Sequence, residues 1–336
     1  MTIYEFAEHM SLSVATISKV FNGYSDVSAR TRARVLLEAK RLDFEPLMAA
    51  KTISTKKSLL IGIIYSETTG EGLMHPHFSE ILEHFKRTME AQDYSILFLN
   101  KDHPSQSMRT LMQQCKYRAL DGVMIMAEDP SAPQTNEVLK SDLPAVLVDF
   151  EFTNRSSVLS DNALGMHLVV DHLYALGHRK FAYVTAPLNH PSAGERFKAF
   201  RDALGRYDLT IPDEAVVGQT GYTFNDGCRA IKQLPDDLCG ATAVVCSYDR
   251  LAFGVIHQLQ ERGLRAPEDI SVTGFDNLVS DQMDFWNLTT IEQPRADIGA
   301  EAGRLLLREI ADGDRTPVRL PVRLIVRGTT GCRGGL

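Results

Sequence analysis

From Leu59 onward the chain repeats one pattern, and that pattern limits its fold more than any other feature. Short aliphatic and β-branched runs alternate with longer stretches of helical period. Leu59–Tyr65, Ser95–Leu99, Gly122–Met126, Ala145–Asp149, Phe181–Val184, Ala243–Cys246 and Ile270–Phe275 are strand candidates. Phe78–Gln92, Ser107–Arg118, Asn162–Leu176, Ala193–Tyr207 and Asp249–Arg262 are the helices between them. Such alternation calls for a parallel sheet with helices on both faces. The run divides into two units, so the body is expected to be α/β, with two doubly wound parallel-sheet lobes. A crevice between two such lobes, at the ends of their strands, is a clamp for a small molecule.

With 336 residues the chain has room for two or three lobes. A hydrophobic content of 44% with 24% charged residues is ordinary for a soluble protein. No apolar run is long enough to span a bilayer, and Met1–Glu5 lacks the basic and apolar regions of a secretory signal. Five scattered cysteines without a Cys-x-x-Cys pair argue against a disulfide frame or zinc site. A cytoplasmic location with free thiols is the expectation. The net charge of −7 is unevenly spread: residues 1–57 carry +3, which leaves −10 for the remainder. A basic head on an acidic body steers toward phosphates.

The head is built from short helices. Thr2 and Glu5 fit a capping box ahead of Ile3, Phe6, Ala7 and Met10 at helical spacing. Ser11-Leu12 allows only a tight turn. Ser13 then caps a second helix through Asn22, with Ile17, Val20 and Phe21 as its apolar stripe and Gly23 at its stop. Its other face offers Val14, Ala15, Ser18, Lys19 and Asn22. Two helices joined this closely form a helix-turn-helix, whose second helix enters a DNA major groove. Ser28 caps a third helix with Val35, Leu36, Ala39 and Leu42 as its packing stripe, and Asp43–Pro46 ends it.

Thr2–Ala7, Leu12–Asn22 and Val27–Arg32, at this mutual spacing, resemble the lac repressor/galactose repressor family of bacterial transcription regulators. The resemblance implies base contacts from Val14, Ala15 and Lys19, and phosphate contacts from Tyr4, Ser13, Thr16, Asn22, Ser28 and Thr31. Val14 and Ala15 can offer only apolar contact, for example to thymine methyls, whereas Lys19 can donate to guanine O6 and N7. Pro46–Ser54 looks like the family's hinge helix. Alone it has little to pack against, so it is expected to order only on DNA. There the family inserts an apolar wedge into the minor groove, and Ile53 holds that position, where leucine is usual. Leu47 replaces a usual polar residue.

The resemblance extends through the body, at Asp161-Asn162, Leu176–Lys180, Arg196–Phe200, Asp249–Gly254, Gly274–Asn277, Thr289–Pro294 and Leu324–Arg327. It implies lobes like those of periplasmic sugar-binding proteins, with three chain crossings between them. It also implies effector contacts. Arg196 and Asp276 are expected to face each other across the cleft, where a guanidinium fork and a carboxylate can bind hydroxyls or a carboxylate. Tyr222 takes the place of a stacking aromatic. His77 and Phe78 match a further contact pair, with His190, Ser192 and Asp149 as lesser positions. Tyr248 stands where sugar-binding members often have asparagine, and Glu67–Met74 is a longer first loop than usual.

No motif supports catalysis: Gly-x-Ser-x-Gly, a Walker loop and a His-Glu metal helix are all missing. His75 and His77 flank a proline without further ligands and suit a loop lining better than a metal site. His178 suits a structural role after a helix end. Arg196 with Asp276 also has a plainer reading, a salt bridge. The expected division is a head at about 1–45, a hinge at 46–57 and an effector-binding, dimerising body at 58–336. Within the body, lobe one takes about 58–160 and 292–320, and lobe two about 161–291 and 321–332. The function expected is a cytoplasmic, dimeric, ligand-responsive regulator, a repressor of a carbohydrate catabolic operon, needing no cofactor or metal. Its partners would be palindromic operator DNA and a sugar or sugar derivative. No leucine heptad follows Arg327, so no coiled-coil tetramer is expected. The alternative is a solute-binding protein or sugar-processing enzyme of related fold.

Overall fold

A computed structural model describes residues 1–45, 57–66, 72–99, 109–218, 221–278 and 286–333. The hinge positions 46–56, Ile53 among them, lie outside the described residues, as do 67–71 of the first loop.

The head is three helices, α1 (Ile3–Met10), α2 (Val14–Phe21) and α3 (Ala29–Arg41). Each starts on a side-chain cap. Glu5 N–H donates to Thr2 Oγ1 at 3.3 Å while Thr2 N–H donates to Glu5 Oε2 at 2.6 Å, the reciprocal box. Ser13 and Ser28 accept from Thr16 and Thr31 N–H, each at 3.1 Å. Ser11 is left-handed at φ 52° and turns the chain sharply between α1 and α2. Phe6, Ile17, Val20, Val35 and Phe44 close the core, and Phe6 stacks on Phe44 with ring centroids 4.1 Å apart. The α3 stripe differs from expectation at Leu36. Val35 and Ala39 point inward one turn apart, and the 100° step per residue carries Leu36 to 45% exposure.

In the body, β1 (Leu60–Tyr65), β2 (Ser95–Phe98), β3 (Gly122–Met126), β4 (Ala145–Val148), β5 (Ser156–Ser160) and β11 (Pro317–Leu320) form one parallel sheet. Its order is β11-β5-β4-β3-β1-β2. Helices α4 (Pro76–Glu90) and α11 (Arg295–Asp312) cover one face; α5 (Leu111–Tyr117) and α6 (Pro133–Leu139) bury Leu111, Cys115 and Val138 in the other core. The two long helices touch closely, because a Cβ at Gly299 would lie 2.2 Å from Ile81 O. The second sheet, also parallel, joins β6 (Phe181–Thr185), β7 (Val216–Gly218), β8 (Ala243–Cys246) and β9 (Ser271–Thr273) in the order β7-β6-β8-β9. Helices α7 (Asn162–Ala175) and α8 (Pro191–Gly205) cover one face, and α9 (Phe224–Ile231) and α10 (Asp249–Glu261) the other.

The chain leaves the first sheet at Asp161, returns through β10 (Thr290–Glu292) into α11, and leaves again between β11 and β12 (Arg323–Ile325). Antiparallel pairing of β10 with β12 ties the last two passages together. No element is expected from the sequence at β5, α6, β7, α9, β10, α11, β11 or β12. The strands among them, such as Ser-Ser-Val-Leu-Ser for β5, are short or polar, and pairing within the sheets rather than periodicity makes them regular.

Candidate functional site

Two surfaces carry the candidate residues. On the head, Ala15 and Lys19 of α2 project outward and are exposed, and Tyr4 on α1 is 73% exposed. Val14 is half-buried and packs partly against the head core, so less of it faces outward than the helical pattern alone implies. Ser13 and Thr16 hydroxyls are 2.8 Å apart, as are those of Ser28 and Thr31. Each serine Oγ also accepts the capping N–H of its helix, which fixes the oxygen in place and leaves its O–H as a donor. Asn22 donates to Ser18 Oγ at 3.1 Å. Lys19 is ion-paired with Asp26, a residue without an assigned role in the sequence. Bonding to the Lys19 ammonium holds the Asp26 carboxyl below its ordinary range.

In the body, one cavity of about 970 Å³ is lined from both sheets. His77, Phe78, Asp149, His190, Ser192, Arg196, Tyr222, Tyr248 and Asp276 all line it. They sit where strands end and helices begin: His77 and Phe78 open α4, Asp149 follows β4, His190 and Ser192 open α8, Tyr248 follows β8 and Asp276 follows β9. That is the crevice position expected of open α/β sheets.

Arg196 and Asp276 do not face each other across the cleft. Both belong to the second sheet's side, 3.5 Å apart and buried. Arg196 is held on all sides. Its Nε donates to Asn162 Oδ1 at 2.8 Å, its Nη1 to Ser247 O at 2.7 Å, and its guanidinium lies 3.6 Å over the Phe275 ring. Gln293 donates to Asp276 Oδ1 at 2.6 Å and accepts from Ser160 at 2.6 Å. Burial raises the Asp276 carboxyl despite the opposing charge of Arg196. Burial and the Asp276 charge raise neighbouring Asp249 as well.

The opposite wall behaves differently. His77 Nε2 bonds to Asp149 Oδ2 at 3.2 Å. Burial raises Asp149, but the His77 bond and the nearby His77, Arg196 and His190 groups outweigh it and hold the carboxyl below its ordinary range. His77 Nδ1 and His190 Nδ1 are buried without a hydrogen-bond partner among the described residues, and both residues line the cavity. Burial lowers His190 below the usual histidine range and raises Tyr222 to about 12. Tyr222 packs edge-on against both His190 and Tyr248, at 5.4 and 5.3 Å. Opposite them, Phe78 packs with His75 at 4.8 Å. The cavity thus has an aromatic patch on each lobe, carboxylates on each wall, and donors between them.

Glu128, Arg250 and Gln293 also line the cavity and had no site role in the sequence reading, and His75, read there as a loop lining, joins them. Glu128 stands two residues beyond β3, so the strand-end rule that points to Asp149 points to it equally. His178 is structural: Nδ1 bonds to Thr242 Oγ1 at 2.9 Å and Nε2 to Gly331 O at 3.1 Å. Among the described residues no helix is long and apolar enough to cross a membrane.

A helix-turn-helix head carried on two parallel-sheet lobes that enclose a polar cavity defines a DNA-binding transcription regulator with an effector domain. Residues 170–330 match a periplasmic binding protein-like domain. Catabolite control protein A of Priestia megaterium is 31% identical over 335 residues, 98% of this chain and 99% of that protein. The transcriptional repressor CytR of Escherichia coli strain K12 is 29% identical over 337 residues, 98% of this chain and 96% of its own. The lac repressor dimer bound to operator and the anti-inducer ONPF superposes with a TM-score of 0.81 at 27% identity, covering 98% of this chain and 99% of that one. A regulator from Enterococcus faecium with bound ribose gives 0.67 at 28% identity over 82% of this chain and 100% of its own. The chain belongs to the lac repressor/galactose repressor family. It is a transcription regulator and not an enzyme; the named relatives set aside the solute-binding and enzymatic alternatives.

Proposed function

We propose that this regulator represses a carbohydrate catabolic operon in the cytoplasm, as a dimer on a palindromic operator, and that a sugar or sugar derivative in the cleft sets its operator affinity. The observation that carries this reading is a cavity lined from both lobes, with nine candidate contact residues on it. Named relatives that include a ribose operon repressor, and a related regulator holding ribose, support the effector class.

In this reading Val14, Ala15, Lys19 and Ile53 meet bases, and Tyr4, Ser13, Thr16, Asn22, Ser28 and Thr31 meet phosphates. Arg196, Asp276, Asp149 and Ser192 bind effector hydroxyls or a carboxylate; His77 and His190 use their unpartnered Nδ1 atoms; Phe78, Tyr222 and Tyr248 face the ring. A head at 1–45, a hinge at 46–57 and a body from 58 serve as the working units. The cavity wall is connected to the other lobe. Asn162, which accepts from Arg196, donates to Glu195 Oε2 at 2.6 Å. Arg319 on β11 then bridges Glu195 at 2.5 Å and Glu151 at 3.0 Å. A ligand that shifts Arg196 therefore shifts a chain of contacts that spans the lobes. Linkage makes the effect mutual, so effector and DNA change each other's affinity by one factor.

A thermal-shift screen of the full chain against sugars, sugar acids, phosphorylated sugars and nucleobases tests this. The expected result is a hit that raises the melting temperature and also changes duplex affinity. A hit that stabilises the chain and leaves duplex affinity unchanged contradicts the coupling.

A further inference from the structure

The Lys19–Asp26 pair places an anion beside the candidate reading surface, and the backbone holds it there. Gly23 is left-handed at φ 75°, and its N–H donates to Val20 O at 3.2 Å. Tyr24 N–H returns to Lys19 O at 3.0 Å. These are the paired return bonds of a glycine-terminated helix, and they reverse the chain over the end of α2. The Arg32 guanidinium binds the Tyr24 carbonyl and fastens the same turn to α3. Asp26 is thereby carried onto the Lys19 ammonium, with the two side chains 54% and 48% exposed. An exposed pair of this kind adds little to fold stability. Two and five residues further on, Ser28 and Thr31 present the hydroxyls proposed to meet phosphates. A carboxylate in that position works against binding any duplex.

We propose that Asp26 is a specificity-determining residue, which keeps the Lys19 ammonium from serving as a general phosphate contact. This rests on the DNA-reading role of Lys19. A lysine ammonium is a point charge on a flexible stem, and any phosphate oxygen satisfies it. Paired with Asp26, it brings no net charge to the backbone. Its three donors allow a different outcome at guanine. One N–H stays on Asp26 while the other two reach O6 and N7, which are directional acceptors in the groove. Binding to random sequence is suppressed, and binding to the correct base is kept.

The test uses the full chain and two duplexes: a palindrome that the unmodified chain selects from a random library, and a random-sequence duplex. Affinities are read across a salt series. Asp26→Asn is expected to raise random-duplex affinity roughly five-fold and to steepen the salt slope by about one, as one more cation meets phosphate. Affinity for the selected duplex rises less than about two-fold, so the specificity ratio falls. Asp26→Glu keeps the carboxylate and is expected to keep the low random-duplex affinity. In a Lys19→Ala background the gain from Asp26→Asn shrinks, because the lysine it releases is gone. Equal gains on both duplexes, equal gains in both backgrounds, or no gain overturns the proposal. A chain that selects no sequence over the random duplex removes the DNA-reading assignment itself, a failure seen before any variant is made.

Discussion

Arg196 and Asp276 form a buried ion pair, 3.5 Å apart, on one wall of the effector cavity. Its members are bonded into the fold and also line the cavity, so the structural reading of the pair is observed and its proposed contact with effector would be made by groups already held in place.

The fold role has a measurable cost. Arg196→Ala strands the Asp276 carboxylate on Gln293 and leaves Asn162 Oδ1 and Ser247 O without their donor. Breaking one side of a buried pair costs about 3 kcal/mol, read by urea unfolding. Adding Asp276→Asn should return part of that loss in a double-mutant cycle. Losses that simply add would show that the two groups do not interact. Loss of effector response in Arg196→Ala counts as a ligand effect only under conditions where the variant remains folded.

Lys19→Ala should separate reading from attraction. A bidentate contact to guanine discriminates by about 1–3 kcal/mol, so affinity for the selected palindrome falls while random-duplex affinity changes little. Titration of both duplexes against the variant checks this. An equal loss on both would leave Lys19 with no part in recognition.

The buried histidines should cost stability in mild acid. Burial lowers His172, His178 and His190 below the usual 6.5, so the unfolded chain binds protons that the folded chain refuses. Below pH 6.5 these three groups withdraw stability as pH falls, against an opposite contribution from Asp249 and Asp276, whose carboxyls burial raises. Melting temperatures of parent and variant across that range isolate the histidine share. His178→Gln should lose less stability in acid than the parent, because it removes an imidazole that burial among Thr242, Ser271 and Gly331 lowers. An unchanged slope places the effect on other groups.

Packing beneath the cavity is equally exposed to test. A Cβ at Gly165 would lie 2.6 Å from the Phe275 ring, the ring on which Arg196 rests. Gly165→Ala should cost about 1–3 kcal/mol in urea unfolding and displace that ring. A variant as stable as the parent would mean the α7 backbone yields without strain.

The legible part of the sequence is the part whose signal is local. Capping residues Thr2, Ser13 and Ser28 announced their helices, and buried strands such as Val123–Met126 were continuous apolar runs. The strands Ser156–Ser160 and Val216–Gly218 were not legible, because neighbouring strands and not their own pattern hold them. At the cavity the family pattern gave the residues but not their relations. It put Arg196 opposite Asp276, whereas α8 and the end of β9 bring them side by side. It carried no role for Asp26, because pairing with Lys19 depends on how the chain turns after Gly23. Glu128 had a positional signal, just past the end of β3, but no motif to mark it, while Gln293 lay inside the family-like run Thr289–Pro294, which carried no site role for it.

The most direct test of a DNA-reading head on this acidic chain is the salt dependence of its affinity for a selected palindrome. Between about 50 and 200 mM salt, log affinity should fall linearly with log salt and steeply, with a slope set by the phosphates neutralised by both heads of a dimer. A flat response, or a slope no steeper for the palindrome-bound dimer than for a single charge, contradicts the assignment of residues 1–45 to operator binding.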